Sequence, residues 1–240
     1  MKGIRCALMS LPLLALLLMT GCASVQPPVP MDSAFWSENQ ESIGVMVAEL
    51  PVPTVVLSGN QGLLDYAINS GMATGLRNKV ETWDASALNE LSPLVVEQLS
   101  SRGYKVKLIQ ASIDTGEMIQ LKGGKLGFSP VDLRPLKEQY KVDKLVLFIV
   151  TATGTVRTYY SVVPTSDPIV QVGVNSYVVD LDDNRLLFYQ GHLTTRATEG
   201  HWDEGPEYPT LTNTFYQALD AAQQTVLVPF TSQQVSVKQP

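Results

Sequence analysis

The first 21 residues constrain everything that follows them. Lys2 and Arg5 precede a run from Cys6 to Thr20 that is apolar except at Ser10 and interrupted at Pro12, with Leu11, Leu13, Leu14, Leu16, Leu17 and Leu18 clustered in it. The run is shorter than the roughly 20 residues of a membrane span and follows a charged stretch, the order of an export signal. Cleavage before Cys22 removes Cys6 and leaves one cysteine behind. No disulfide within the chain can then staple the fold, so an apolar core must hold it. With 45% apolar residues in 240 there is enough to build that core, and the length suits roughly one domain with tails. A net charge of −6 argues against a nucleic-acid partner, which normally meets a basic patch. Two histidines and one remaining cysteine exclude most Cys/His zinc sites.

The run ends Leu18-Met19-Thr20-Gly21-Cys22. This resembles the lipobox of bacterial lipoproteins, with Met19 where that pattern usually has Leu. Small Thr20 and Gly21 fit a peptidase cleft, and Cys22 supplies the thiol for a diacylglyceryl thioether. The alternative is an ordinary signal peptide, or a membrane anchor, with a chance cysteine. Acyl chains contribute about 0.8 kcal/mol per buried methylene, so two or three of them anchor a protein firmly. Ala23, rather than Asp, follows the cysteine. By resemblance to enterobacterial lipoproteins this implies the periplasmic face of the outer membrane.

Residues 22–41 read as a flexible tether, with Pro27, Pro28 and Pro30 before the polar run Ser37 to Glu41. Phe35 and Trp36 interrupt it, and their destination is either the domain or a partner. The domain spans 42–230 and opens with a strand, Ile43 to Val47. Pro51 and Pro53 break that strand, and Thr54 to Leu57 either continues it or forms an edge. In Ser58 to Lys79, Leu64, Ile68, Met72 and Leu76 recur at steps of four, which predicts a helix. Gly62, Gly71 and Gly75 weaken it, and Gly71 and Gly75 have the spacing of close helix packing. This segment either covers the sheet or reorders against a partner or membrane.

Asp84 caps a helix with the stripe Leu88, Leu91, Val95 and Leu99, which Pro93 either kinks or divides. Gly103 stops it, and Tyr104 to Ile109 alternates as a strand. Ser129-Pro130 reads as N-cap and first residue of a short helix through Leu133, Leu136 and Tyr140. Leu145 to Val150 is a solid apolar run, as in a central strand. Thr155 to Val163, Ile169 to Val179 and Arg185 to Thr194 follow as strands, the last two joined at Asp182-Asp183-Asn184. Leu211, Phe215, Leu219, Ala222 and Val226 share one helical face, closed by Pro229, and 231–240 reads as a disordered tail. The expected fold class is α+β. A single mixed sheet of about five or six strands carries three main helices and ends in a meander followed by a helix.

The helix ending Leu99 to Gly103, the strand after it, and the segment Tyr140 to Leu147 resemble the α/β domains of CsgG-like and TolB-N-terminal-like periplasmic lipoproteins. The hairpin Tyr177 to Leu187 is similar to their paired strands. The resemblance implies an accessory role in envelope assembly or secretion, often in oligomers, and no enzyme. No pair of long alternating segments marks out a membrane barrel.

Candidate chemistry is sparse. His201-Trp202-Asp203-Glu204, with Glu199, Glu207 and His192, is the densest polar cluster. It reads as a cation or acid/base site, or more simply as an acidic loop before a helix N-terminus. Asp180, Asp182, Asp183 and Asn184 lack the Gly and Glu of a calcium loop. Gly123-Gly124-Lys125 lacks the first Gly and the Ser/Thr of a phosphate-binding loop. No catalytic residue, metal or cofactor is expected. The expected function is that of a lipid-anchored accessory protein working through protein contacts. Its partners are the membrane, through acyl chains on Cys22, and other envelope proteins or a second copy. Tyr159, Tyr160, Gly71, Gly75 and Trp36 are the possible interface residues. The alternative is a binding module for a small molecule, glycan or lipid.

Overall fold

The computed structural model describes residues 25–37, 41–111, 113–114 and 125–231. Cys22 and the 232–240 tail lie outside them, as does Gly123-Gly124. The solid apolar run does form the central strand, but it does not stop at Val150. Strand β4 runs unbroken from Lys144 to Tyr160, and the two strands expected over 145–163 are one. A bulge between Val150 and Ala152 re-registers it against its partner, and Gly154 takes a left-handed φ of 115 within the strand.

Everything else is arranged about β4. Strand β1 (Ser42–Val47) pairs parallel with its first residues, and β2 (Thr54–Asn60) pairs parallel with its last. The two therefore lie end to end along one edge. Strand β3 (Lys105–Leu108) adds in parallel outside β1. On the other edge β6 (Ile169–Asp180) and β7 (Leu186–Ala197) add antiparallel, and short β5 (Val163–Pro164) pairs with the tip of β4. The result is one mixed sheet of seven strands, one or two more than expected, in an α+β fold.

Alternation along β4 serves two cores. Val146, Phe148 and Val150 face one side, with Val170, Val172 and Val174 of β6. Leu145 and Leu147 face the other, with Tyr177 and Val179. The first core is covered by α4 (Leu91–Ser101) and α6 (Pro209–Thr231), through the stripes read from the sequence. The second is covered by the chain from Lys125 onward, including α5 (Pro135–Tyr140). Pro93 sits in the first turn of α4, after a 3-10 segment Ser86–Glu90, so it divides rather than kinks. The N-cap of that 3-10 segment is Ala85 rather than the expected Asp84, whose carboxylate instead accepts from the Ser86 N–H at 2.8 Å in the turn before it. Pro229 lies inside α6 rather than closing it.

Two expectations are corrected here. Ser129-Pro130 does not open a helix, because Pro135 stands at the start of α5. Residues 129–133 instead form a loop, with Ser129, Val131 and Leu133 buried, tied to the β6–β7 turn by Asn184. The Asn184 amide donates to the carbonyls of Ser129 (3.2 Å) and Val131 (2.9 Å), and its Oδ1 accepts from Leu133 N at 3.0 Å. The side chain is buried and its backbone is left-handed, at φ 68. Asn184→Ala is therefore expected to cost about 2–4 kcal/mol, because three backbone groups each lose a hydrogen bond at once, the Val131 carbonyl keeping only the one from the Ser129 hydroxyl. Asn184→Asp should cost at least as much, since a carboxylate has no protons for the two carbonyls. Chemical denaturation of both variants checks this, and a cost below about 1 kcal/mol for either would refute the staple.

Nor is the stretch 22–41 a free tether throughout. Val29 forms a bridge to Tyr189, and Asp32 N donates to the Leu187 carbonyl at 2.8 Å. Phe35, on α1 (Ser33–Ser37), is fully buried. Its aromatic ring makes this docking favourable despite the ordering cost.

Candidate interaction surface

The helix predicted over Ser58 to Lys79 is present but breaks at Ala73 into α2 (Leu63–Met72) and α3 (Thr74–Val80). Its orientation is the reverse of what an amphipathic helix normally takes. Of the stripe Leu64, Ile68, Met72 and Leu76, only Leu76 reaches the core. Leu63 is 90% exposed, Leu64 73% and Met72 62%, with Tyr66 and Ile68 also open. The inward side of α2 is polar. Asn69 is fully buried, and its amide donates to Gln61 Oε1 and to the Ser161 carbonyl, both at 2.8 Å. Asp65 turns back to accept from the Gly62 N–H at 3.1 Å. Two hydrogen bonds to a buried amide thus hold α2 with its apolar residues outward.

The Asn69–Ser161 bond also fixes α2 against the tip of β4. Tyr159 is buried there and its neighbour Tyr160 is 66% exposed, the alternation expected of a strand. Val163 of β5 is open as well. Leu63, Leu64, Tyr66, Ile68 and Met72 of α2 are thus exposed on a helix tied to the end of β4, where Tyr160 and Val163 are exposed as well.

Among the described residues, no other helix packs closely on Gly71 or Gly75. A Cβ on Gly71 would meet nothing within 4 Å, and one on Gly75 only the Tyr208 hydroxyl. Trp36 lies elsewhere, against the ring of Phe35 (4.9 Å) and beneath the Arg102 guanidinium (5.3 Å), with its carbonyl accepting from the Tyr104 hydroxyl at 2.6 Å.

The polar cluster is dispersed. Trp202 donates to Asp167 at 2.9 Å and lies under Arg157, while Glu207 pairs with Lys79 at 2.6 Å. His201 is exposed, and His192 faces the helix-covered side of β7, where burial pushes its imidazole below the ordinary range. Burial, with Tyr189 beside it, pushes the Tyr177 phenol up to about 12. At the β6–β7 turn the Asp180 and Asp183 carboxylates serve the turn and face Arg185, while Asp182 pairs with Lys137 at 2.5 Å. Among the described residues no group of three or more His, Cys, Asp or Glu is placed to hold a metal. No helix among them is long and apolar enough to cross a membrane.

Apolar residues at steps of four do not by themselves reveal the reversal of α2. Its signal is the complementary stripe Asp65, Asn69 and Ala73, at the same steps of four.

The sequence matches no protein-family model and no curated protein. Among solved structures the chain is similar to a PelC dodecamer from Paraburkholderia phytofirmans, at 9% identity and a TM-score of 0.30 over 88% of this chain and 96% of that one. It is similar to a lipoprotein of Neisseria meningitidis, at 14% identity and a TM-score of 0.26 over 77% and 99%. A putative neuraminyllactose-binding hemagglutinin homolog from Helicobacter pylori gives 13% identity and a TM-score of 0.34 over 89% and 90%. All three are remote likenesses.

Proposed function

We propose that this is a lipid-anchored protein on the periplasmic face of the outer membrane. In this reading it is a non-enzymatic accessory or assembly component of a cell-envelope complex and works through protein–protein contacts. The observation that carries the reading is α2, held by a buried amide with its apolar side facing out.

Geometry favours a protein over the anchoring bilayer as the partner of that surface. Val29 meets the sheet at Tyr189, which pairs with Tyr177 opposite Leu147, near the start of β4. Tyr160 is 13 residues further along, roughly 43 Å at strand rise. Cys22 precedes Val29 by seven residues, a reach of at most about 25 Å. The chain from Val29 back to Cys22 is therefore too short to bring the anchor to Tyr160.

The double variant Leu64→Glu, Met72→Glu tests this. Both side chains are exposed, so folding stability should change by no more than about 1 kcal/mol. Crosslinks in whole cells, to itself or to another envelope protein, should disappear. Crosslinks that persist unchanged would sink the reading, as would failure of the wild-type chain to crosslink at all.

A further inference from the structure

A second site lies away from α2, at the carboxyl ends of the parallel strands β1 and β3. The chain leaving β1 first forms β2 in the same sheet and then passes through α2 and α3 to α4, over the first core, while the chain leaving β3 leads to α5, over the second. Where neighbouring parallel strands send their chains to opposite faces, a crevice opens beyond their ends, and ligands of open α/β sheets bind in such places. Here that crevice has a volume of about 600 Å³, within the range of small-molecule sites.

Its walls and its polar groups come from different elements. Leu50 just past β1, Leu108 at the end of β3 and Pro93 on α4 supply apolar surface. Asn89, Gln110 and Ser92 supply amides and a hydroxyl. Ser92 is the informative one. It is 4% exposed, and its Oγ has no hydrogen-bond partner among the described residues, not even the carbonyl of Leu88 one turn back. A serine in a helix ordinarily takes that carbonyl. An enclosed hydroxyl with nothing to bind costs stability, which a ligand atom in the crevice would recover.

The lining also selects by charge. Glu49 is the one charged residue among the lining residues, and no Lys or Arg is among them. An anion would find no partner and would face a carboxylate. We infer that the crevice between the ends of β1 and β3, with Ser92, Asn89 and Gln110 as hydrogen-bonding groups, binds a neutral saccharide unit of one or two rings. The amides and the hydroxyl meet sugar hydroxyls, and the Leu and Pro walls meet the C–H faces of the ring. This site is separate from the α2 surface and does not depend on it.

The test uses the full-length protein in a detergent without a sugar headgroup, titrated with N,N′-diacetylchitobiose, with cellobiose and with glucose 1-phosphate. Calorimetry should show saturable binding of at least one neutral disaccharide and at least tenfold weaker binding of the phosphate. Ala111→Trp, at an exposed position lining the crevice, should fill it and reduce binding at least tenfold. Ser92→Ala should also weaken binding at least tenfold while leaving the melting temperature of the free protein unchanged or raised. A serine with only a structural role would lower the melting temperature and leave binding alone. No saturable binding of either disaccharide overturns the inference. So does phosphate binding as tight as theirs, or saccharide binding that Ala111→Trp leaves intact.

Discussion

A chain carrying Gly154→Val should lose the pairing of β2 with the distal half of β4. Gly154 sits at φ 115, which L-residues rarely adopt, and its pairing partner is Thr54. A Cβ there would lie 2.1 Å from the Thr54 carbonyl oxygen and 2.6 Å from its nitrogen. Those are backbone atoms of the paired strand, so nothing can swing away to make room. The backbone conformation alone costs about 1–3 kcal/mol, and a severed ladder adds to that. The expected loss is about 3–5 kcal/mol, a large part of a typical domain's 5–15. Since β2 leads directly into α2, the variant should also lose whatever association α2 supports. Equilibrium denaturation together with hydrogen exchange at residues 54–60 checks this. A loss under about 1 kcal/mol, with those amides still protected, would show that the ladder tolerates a side chain.

Cys22→Ser should have the other large effect, on location rather than stability. With the thioether gone, no acyl chain can attach, and each buried methylene that is lost removes about 0.8 kcal/mol of membrane affinity. The wild-type chain should stay with outer-membrane fractions through high-salt washing, and its mature mass should include lipid. The variant should either persist as the longer precursor or, if cleaved elsewhere, leave the membrane fraction. Because Cys22 lies before the residues packed on the domain, the melting temperature of the folded part should not move. A Cys22→Ser chain that is processed and still sediments with membranes would be held by something other than acyl chains. The α2 surface would then be the first place to look.

The amino-acid sequence by itself determined the elements whose residues repeat with one period and meet one environment. The stripes Leu88 to Leu99 and Leu211 to Val226 are buried as their spacing requires, because a helix with a single apolar face has one way to bury it. The run Leu145 to Val150 is central because only a strand covered on both faces rewards continuous apolar residues. Tyr159 in and Tyr160 out follows from alternation alone. Only the tertiary structure decided the rest. Whether β4 ends at Val150 or runs on depends on a bulge and a glycine whose partner, Thr54, lies 100 residues away in the chain. Whether Ser129-Pro130 begins a helix depends on Asn184, which binds the chain there and keeps it extended through a loop. Which side of α2 faces inward depends on Gln61 and Ser161 offering two acceptors to Asn69, and Ser161 is far off in sequence. Periodicity marks out two faces of a helix, but it cannot say which of them finds partners. The same holds for Ser92, whose unpaired hydroxyl acquires meaning only when the ends of β1 and β3 are brought beside it.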